Sequence, residues 1–398
     1  MQMLNYILVF FASVLLIPVL VLLIQILFAV VAKVRPSNVV AQSLQPKPSV
    51  GVLVPAHNEE QGLEVTLRAI LPQLSSLDQL VVIADNCTDN TASVAKSTGA
   101  TTLERFNEVY RGKGYALDFG MQHLKLNPPE VVIIIDADCE VEPNFIEIVS
   151  KQCIELKRPI QANYVMYYPS TKGLKQQVAE FAWLVKNTVR PLGYGFLGLP
   201  CQLMGTGMAF LWKDLVQCNL ASGHLVEDMK LGLDLASIGS PTTYCPDTEV
   251  KSYFPTSEEG QASQRARWEH GHLGVILNEA PKYMLKAIKS FNFPLFAQVL
   301  DLLLPPLALT LIINIVFWLS SLIFWVLTDY SLPLVISTLV LTALVFGIFI
   351  AWLGFGRKII SFKSLLLTPL VLLLKIPLYI KFVLSRQVDW VRSKRDDL

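Results

Sequence analysis

The sequence carries little net charge and few charged residues. Its 33 Lys and Arg stand against 32 Asp and Glu, which leaves a formal net charge of +1, and charged residues make up 16% of the chain. Proteins that bind nucleic acid usually present a strong positive field, so this balance argues against nucleic acid as a partner.

Two glycine-rich nucleotide-binding motifs and the Cys-x-x-Cys motif are also missing. No G-x-G-x-x-G follows the first predicted strand and no G-x-x-x-x-G-K-[ST] occurs, which argues against a dinucleotide-binding fold and a P-loop. The cysteines include no Cys-x-x-Cys pair, so a reduced, cytoplasmic setting fits better than a disulfide framework or a zinc site. The six cysteines lie in the central region: Cys87, Cys139, Cys153, Cys201, Cys218 and Cys245.

Long apolar runs are present, and they lie at the two ends of the chain. Residues 6 to 32 contain no charge, which predicts a transmembrane helix within 1–34. A signal peptide is the competing interpretation, but it needs a shorter apolar core and a basic start. The first basic residue, Lys33, follows the run, so the positive-inside rule places the next domain in the cytoplasm. A polar linker, 35–47, leads into that domain.

The second half of the chain predicts further membrane segments. Residues 265–295 contain an amphipathic stretch that fits the membrane surface, and 302–328 and 331–355 predict two transmembrane helices. If the segment 361–398 crossed the membrane, its basic tail would lie outside, against the positive-inside rule. That segment is therefore predicted to be an interfacial or re-entrant helix followed by the basic tail.

Between the membrane segments, residues 48–264 predict an α/β domain. Strand-like runs at 50–54, 80–84, 100–103 and 131–135 alternate with helical patterns, which is typical of a mostly parallel sheet. Asn58, with Gln61 three positions later, predicts a helix cap after the first strand.

Carboxylates stand where two of these strands end. Asp136 and Asp138 follow the buried strand 131–135, and Asp85 follows the second strand. Ligands of open α/β sheets bind beyond the carboxyl ends of strands, and Mg²⁺ prefers carboxylate oxygens. Asp85 can accept hydrogen bonds from a base or ribose, and Lys113 can meet a phosphate. Taken alone, Asp136-x-Asp138 is more typical of a strand that ends in a polar turn. Asp85 is also typical of a turn, and Lys113 of a solvated surface.

Three later features have weaker local signals. Gly205-Thr206-Gly207 predicts a flexible turn before an apolar run, and Glu227-Asp228 begins a helical pattern. An acidic pair in a first turn is also ordinary complementation of the helix dipole. His270 and His272 are two positions apart, so they do not share a helix face and are interpreted as structural.

Taken together in order, these motifs resemble a known family. They are Val54-Pro55-Ala56-His57-Asn58-Glu59-Glu60, Asp85, Asp136-x-Asp138, Glu227-Asp228 and Gln264-x-x-Arg267-Trp268. The set resembles the membrane-bound inverting glycosyltransferases of family 2, which include cellulose, chitin and hyaluronan synthases and ceramide glucosyltransferase. The resemblance covers roughly residues 48 to 275.

The resemblance implies a GT-A fold, a nucleotide-sugar-binding α/β domain, here embedded between N- and C-terminal transmembrane helices. It implies a sugar-nucleotide donor, usually UDP-linked, and Mg²⁺ or Mn²⁺ on the diphosphate. By this resemblance Ala56, Glu59 and Asp85 contact the nucleotide, with Lys113 nearby, and Asp136 and Asp138 bind the metal. Asp228 is the catalytic base within the Glu227-Asp228 pair. The diphosphate and the acceptor are contacted by Gln264, Arg267 and Trp268.

The predicted function is sugar transfer from a nucleotide donor to a lipid-linked or polysaccharide acceptor, with inversion, at the cytoplasmic face of a bacterial inner membrane. Two alternatives stay open: a processive polysaccharide synthase subunit, and a catalytically inactive sugar-nucleotide-binding scaffold of a larger synthase. The predicted partners are the donor, the lipid or glycan acceptor, the bilayer and other subunits of polysaccharide synthesis or export.

Overall fold

The computed structural model describes residues 1–34, 46–168 and 172–384. Most of the predicted linker 35–47 and the basic tail lie outside the described residues. The chain divides into two compact units. The helical unit contains Met1–Arg35, Thr171–Gly198 and Ala297–Arg386, and the sheet unit contains Pro36–Ser170 and Leu199–Phe296.

The strands are β1 Val50–Ala56, β2 Gln79–Asp85, β3 Thr101–Arg105, β4 Val131–Ile134, β5 Glu140–Val141, β6 Ile160–Tyr167, β7 Met208–Leu211 and β8 Thr243–Tyr253. The α-helices are α1 Gln2–Val34, α2 Leu63–Ile70, α3 Thr91–Ser97, α4 Lys113–Leu124, α5 Phe145–Leu156, α6 Leu174–Leu184, α7 Arg190–Phe196, α8 Trp212–Leu215, α9 Glu227–Ser237, α10 Glu258–Asn278, α11 Ala280–Lys289, α12 Phe293–Leu302, α13 Leu307–Thr328, α14 Leu332–Ala351, α15 Phe362–Leu366, α16 Thr368–Leu373 and α17 Ile376–Leu384. A 3₁₀ turn, Leu71–Gln73, follows α2, and π-helical turns occur at Val185–Val189 and Trp352–Gly356.

The sheet unit is built on one mixed sheet with strand order β3-β2-β1-β4-β7-β6-β8-β5. Strands β1 to β4 are mutually parallel, and β7 runs antiparallel to β4. The prediction of a mostly parallel α/β sheet is confirmed. The strand β4 lies between β1 and β7, and its four residues are fully buried, as their β-branched sequence predicts.

Two helices that bear on the site pack against this sheet through apolar side chains. Leu117 and Leu124 of α4, and Leu231 and Leu235 of α9, are buried in one cluster with residues of β1, β2, β4 and β7. This packing fixes the first turns of α4 and α9, where Lys113 and the Glu227-Asp228 pair stand.

The helical unit holds the apolar ends of the chain. Three described helices are long and apolar enough to cross a membrane: Gln2–Val34, Leu307–Thr328 and Leu332–Gly356. The predicted segment 361–398 contains, within its described part, the three short helices α15, α16 and α17 instead of one long helix.

The helical unit also contains a segment from the middle of the chain. The helix formed by α6, the π turn and α7 packs Phe181, Val185 and Val189 into a cluster with α1 and α14. Its Arg190 bonds to Asp301 Oδ1 at 2.6 Å. A Cβ on Gly193 would lie 1.8 Å from the carbonyl oxygen of Gln25, so only glycine permits this close crossing of α7 with α1.

One local prediction is wrong in detail. Asn58 does not cap a helix: α2 begins at Leu63, and Asn58 has a left-handed φ of 57°. Its side-chain oxygen instead accepts the amide N–H of Thr88 at 2.7 Å, because this contact between two loops outweighs the local capping pattern. The residues 265–295, predicted to contain an amphipathic stretch, fall in α10, α11 and the start of α12, with a break between α10 and α11 just before Pro281.

Candidate active site

The site forms at the carboxyl edge of the parallel strands. β4 ends at Ile134, and the chain continues through Asp136 to Asp138. Because β7 is antiparallel to β4, the turn that precedes β7 lies at the same edge, and Thr206 in that turn accepts the amide N–H of Asp136 at 3.0 Å. The sheet order therefore brings together segments that are 70 residues apart along the chain.

Lys113 is the centre of the cluster. Its ammonium forms an ion pair with Asp136, lies 3.9 Å from Glu227 Oε1 and donates to the carbonyl oxygen of Gly205 at 2.7 Å. Its side chain is 18% exposed. The structure thus brings together Lys113, Asp136 and Glu227, which are far apart in the sequence.

Burial and neighbouring charge act in opposite directions on these groups. Burial alone would lower the pKa of Lys113, but the carboxylates of Asp136 and Glu227 outweigh it and hold that pKa above its ordinary value. Burial raises the pKa of Asp136. The positive charges of Lys113 and Arg267 oppose this rise, and the negative charge of Asp138 adds to it. Lys113 therefore stays charged while it faces several carboxylates.

The Glu227-Asp228 pair occupies the first turn of α9. Oδ1 of Asp228 accepts the amide N–H of Met229 at 2.8 Å, which fixes the side chain at the start of the helix. Burial raises the pKa of Glu227 to about 7; Lys113 opposes that shift and Asp228 increases it. Glu227 therefore has the perturbed pKa that marks a candidate functional residue.

This pKa gives a prediction for stability against pH. A carboxyl whose pKa is raised on folding stabilises the folded state below its unfolded value near 4.5, and that contribution is lost as pH rises through about 7. We expect Glu227→Gln to remove this pH-dependent loss of folding stability. Between pH 5.5 and 8, in EDTA, the thermal midpoint of the variant should fall less than that of the wild type, as followed by tryptophan emission. Glu258→Gln, on the exposed face of α10, should follow the wild type, and parallel curves for all three proteins would contradict the prediction.

The turn Met204–Gly207 is a part of the site that the sequence did not identify. It was predicted only as a flexible turn, yet the side-chain amide of Gln161 holds it from both sides. That amide accepts from Met204 N at 2.8 Å and donates to the carbonyl oxygen of Thr206 at 2.9 Å. Gly205 has a φ of +90°, and a Cβ there would lie 3.6 Å from Asp228 Oδ2 and 3.7 Å from Lys113 Nζ. The turn therefore borders both Asp228 and Lys113.

Gly205→Ala should reduce the activity of the site by at least about tenfold. The added methyl group would contact both Asp228 and Lys113 and so limit the room for a bound ligand, and the left-handed backbone costs an L residue roughly 1–2 kcal/mol. Gly99→Ala is the matched control, since its φ is +86° but no atom lies within 4 Å of the added Cβ. Both variants should lose similar thermal stability, and only Gly205→Ala should lose initial rate. Equal rates in the two variants would remove the turn from the site.

Asp136, Asp138 and Cys139 form a group whose ligand atoms lie within 4.8 Å of one another. The Cys139 thiol donates to Asp138 Oδ1 at 3.6 Å, and burial raises its pKa well above the ordinary value. A protonated thiol beside two carboxylates favours a hard, oxygen-preferring ion over zinc. The donor set fits Mg²⁺ or Mn²⁺ held by the two aspartates.

Arg267, on α10, contributes a second cation to this cluster. Its charge acts on Asp136, and its Nε is buried with no hydrogen-bond acceptor among the described residues. Buried donors are normally paired, so this one fits an anionic ligand such as a diphosphate. Gln264 and Trp268 lie on the same helix, half-buried, and their roles stay predictions.

A second group surrounds the end of β2. Asp85 is 7% exposed, and its Oδ1 accepts from Arg105 Nη1 at 2.6 Å. The other terminal nitrogen of Arg105 donates to the carbonyl oxygen of Tyr110 at 2.6 Å. Sequence reasoning missed Arg105, because its pairing depends on the register of β2 with β3. The loop after Ala56 lies here as well, and Glu59 N donates to Thr91 Oγ1 at 2.8 Å.

Comparison with known proteins finds relatives that are named as glycosyltransferases or mannosyltransferases. The chain is 25% identical over 278 residues to a probable glucomannan 4-beta-mannosyltransferase of Arabidopsis thaliana, which covers 63% of this chain and 49% of the relative. It is 29% identical over 211 residues to 4,4'-diaponeurosporenoate glycosyltransferase of Staphylococcus haemolyticus, which covers 49% of this chain and 53% of the relative. The chain thus spans about half the length of the curated relatives it matches.

A solved structure shares the fold. The mannosyltransferase of Pyrobaculum calidifontis, in complex with GDP-Man and Mn²⁺, superposes with a TM-score of 0.52 at 18% identity and covers 86% of this chain and 99% of its own. The profile of the family described as glycosyltransferase like family 2 matches residues 46–271, which is more than half of the chain. The chain belongs to glycosyltransferase-like family 2 and has the GT-A fold.

Proposed function

We propose that this glycosyltransferase moves a hexose from a nucleotide donor to a lipid-linked or polysaccharide acceptor with inversion, at the cytoplasmic face of a membrane. The observation that carries the proposal is the convergence of Lys113, Asp136, Glu227 and Asp228 around Gly205, beside Asp138. The relatives support both acceptor classes, since one is named for a glucomannan and another for a diaponeurosporenoate.

Asp228 is the proposed base. It accepts the proton of the acceptor hydroxyl while that oxygen bonds to the anomeric carbon and the nucleoside diphosphate leaves from the opposite face. Its bond from Met229 N orients the carboxylate, and its neighbour Glu227 helps to hold the Lys113 ammonium. Attack opposite the leaving group inverts the anomeric carbon.

The leaving diphosphate needs positive charge, which Lys113 and Arg267, the two cations that act on Asp136, would supply. Asp136 and Asp138 would hold Mg²⁺ or Mn²⁺, which would add further charge stabilisation. Burial and the charge of Asp138 raise the pKa of Asp136, and a divalent ion held by the two aspartates would relieve the repulsion between them. Asp85 and the Ala56–Glu59 loop are proposed to contact the nucleoside.

The membrane segments 1–34, 302–328 and 331–355 are proposed to anchor this unit, with 265–295 and the described part of 361–398 at the surface. The family resemblance favours UDP in the donor, whereas the Pyrobaculum enzyme is solved with GDP-Man. Both nucleotides therefore belong in the test.

Nucleotide release by the purified full chain in detergent, with a panel of UDP- and GDP-hexoses and a lipid extract as acceptor source, tests the proposal. Release from one donor with Mn²⁺ or Mg²⁺, stopped by EDTA, is the expected result. Nucleotide binding without release from any donor, with lipid or with oligosaccharide acceptors, would support the inactive scaffold instead.

A further inference from the structure

Helix α11 docks on the last two turns of α9. The hydroxyl of Tyr283 donates to Oδ1 of Asp234, and Lys286 Nζ donates to Ser237 Oγ at 2.8 Å. Just beyond α11, the side-chain amide of Asn292 donates to the carbonyl oxygen of Ala236 at 2.9 Å. The end of α9 is therefore held by α11 and the residues that follow it.

The first turn of α9 carries the candidate catalytic pair. Glu227, Lys230 and Asp234 follow one another at helical spacing along one face, and Asp228 lines the same crevice as these three residues. Lys230 Nζ bonds to Oδ2 of Asp234 at 2.6 Å, so each oxygen of Asp234 has its own donor. A helix of three turns moves as a stiff rod, and a shift at Asp234 would therefore reach Asp228.

Tyr283 is suited to be a permanent donor. Burial raises the pKa of its hydroxyl, and the bond to Asp234 raises it further, so the phenol keeps its proton at any working pH. Hydrogen bonds to charged groups are stronger than those between neutral groups. Removal of the Tyr283 hydroxyl would therefore take a strong bond from Asp234 Oδ1.

The exposed part of α11 suits a membrane surface. The helix contains three lysines and no acidic residue: Lys289 is exposed, Lys282 pairs with Glu279 just before the helix, and Lys286 is the lysine that bonds to Ser237. Leu285 and Ile288 are 53% and 56% exposed, and Phe291, just beyond the helix, is 94% exposed. Exposed apolar side chains beside lysines fit the interface of a bilayer that contains anionic lipids.

We propose that the Tyr283–Asp234 contact positions the helix that carries Glu227 and Asp228 and ties its orientation to the binding of α11 at an anionic bilayer surface. Tyr283 and Asp234 are positioning residues, since neither is placed against substrate. The effect on turnover rests on the proposed function, whereas the effect on the order of α9 does not.

The test compares wild type with Tyr283→Phe in nanodiscs that contain anionic or only zwitterionic lipid. Hydrogen exchange of the amides of Glu227–Ser237 should be about tenfold slower for wild type in anionic discs than in zwitterionic ones. Tyr283→Phe should exchange fast in both. Its kcat should fall about tenfold, equivalent to about 1.4 kcal/mol, with the donor KM within twofold of wild type.

Two further variants separate positioning from a general loss of folding. Asp234→Asn keeps an acceptor for Tyr283 and should retain part of the lipid dependence, and Tyr253→Phe, at an exposed tyrosine on β8, should behave as wild type. Unchanged exchange of α9 in Tyr283→Phe would overturn the proposal, even if transfer is confirmed. Should no transfer be found in any protein, the exchange data alone still decide it.

Discussion

Asp228→Asn is expected to lower the rate of sugar transfer by about a thousandfold. The amide cannot take the proton of the acceptor hydroxyl, and general-base catalysis is typically worth 10²- to 10⁴-fold. Asparagine keeps the shape of the side chain and its oxygen can still accept from Met229 N, so the first turn of α9 should persist. The measurement is kcat with the donor identified in the release assay.

The control for this variant is Asp118→Asn, a half-exposed carboxylate on α4 outside the cluster, which should leave kcat within about twofold. Donor affinity of Asp228→Asn should also stay close to that of the wild type, because Asp228 is proposed to act on the acceptor. If Asp228→Asn transfers at the wild-type rate, the base is a different residue, and Glu227 is the next candidate to replace.

Asp138→Asn is expected to weaken Mn²⁺ binding at least tenfold and to lower transfer by about a thousandfold. A divalent ion on the diphosphate supplies several kcal/mol of charge stabilisation in the transition state, and an amide oxygen is a weaker ligand than a carboxylate. Free Mn²⁺ counted by electron paramagnetic resonance reports the binding separately from the rate.

Cys139→Ser separates the aspartates from the rest of the three-residue group. Because burial keeps the Cys139 thiol protonated, we expect serine to leave Mn²⁺ affinity within a few-fold of the wild type. Loss of binding in Cys139→Ser together with retention in Asp138→Asn would reverse the assignment of ligands.

Sequence patterns located the site wherever the signal was local. The buried strand before Asp136 and the helical pattern after Glu227 each predicted an element, and both elements are present. Their meeting point was not predictable without the family resemblance, because it depends on the order β1-β4-β7 in the sheet. The resemblance supplied the roles, and the geometry around Lys113 supplies a physical reason for grouping them.

Contacts between distant segments account for what was missed. Arg105 has a partner only because β3 pairs in register with β2, and the turn at Gly205 is ordered by Gln161 of another strand. At Asn58 the capping pattern was correct as a pattern, but a loop 30 residues away offers a competing hydrogen bond through Thr88. None of these three effects has a signal within a short window of sequence.

The segment Thr171–Gly198 has a consequence for how the protein can be shortened. It lies between β6 and β7 of the sheet, yet its apolar face packs with α1 and α14, with Gly193 against Gln25. Trimming both ends of the chain would therefore not release a water-soluble enzyme, since Phe181, Val185 and Val189 would lose their cover. On the ribosome, likewise, β7 and the turn at Gly205 emerge only after this segment, so the candidate site is completed late in synthesis.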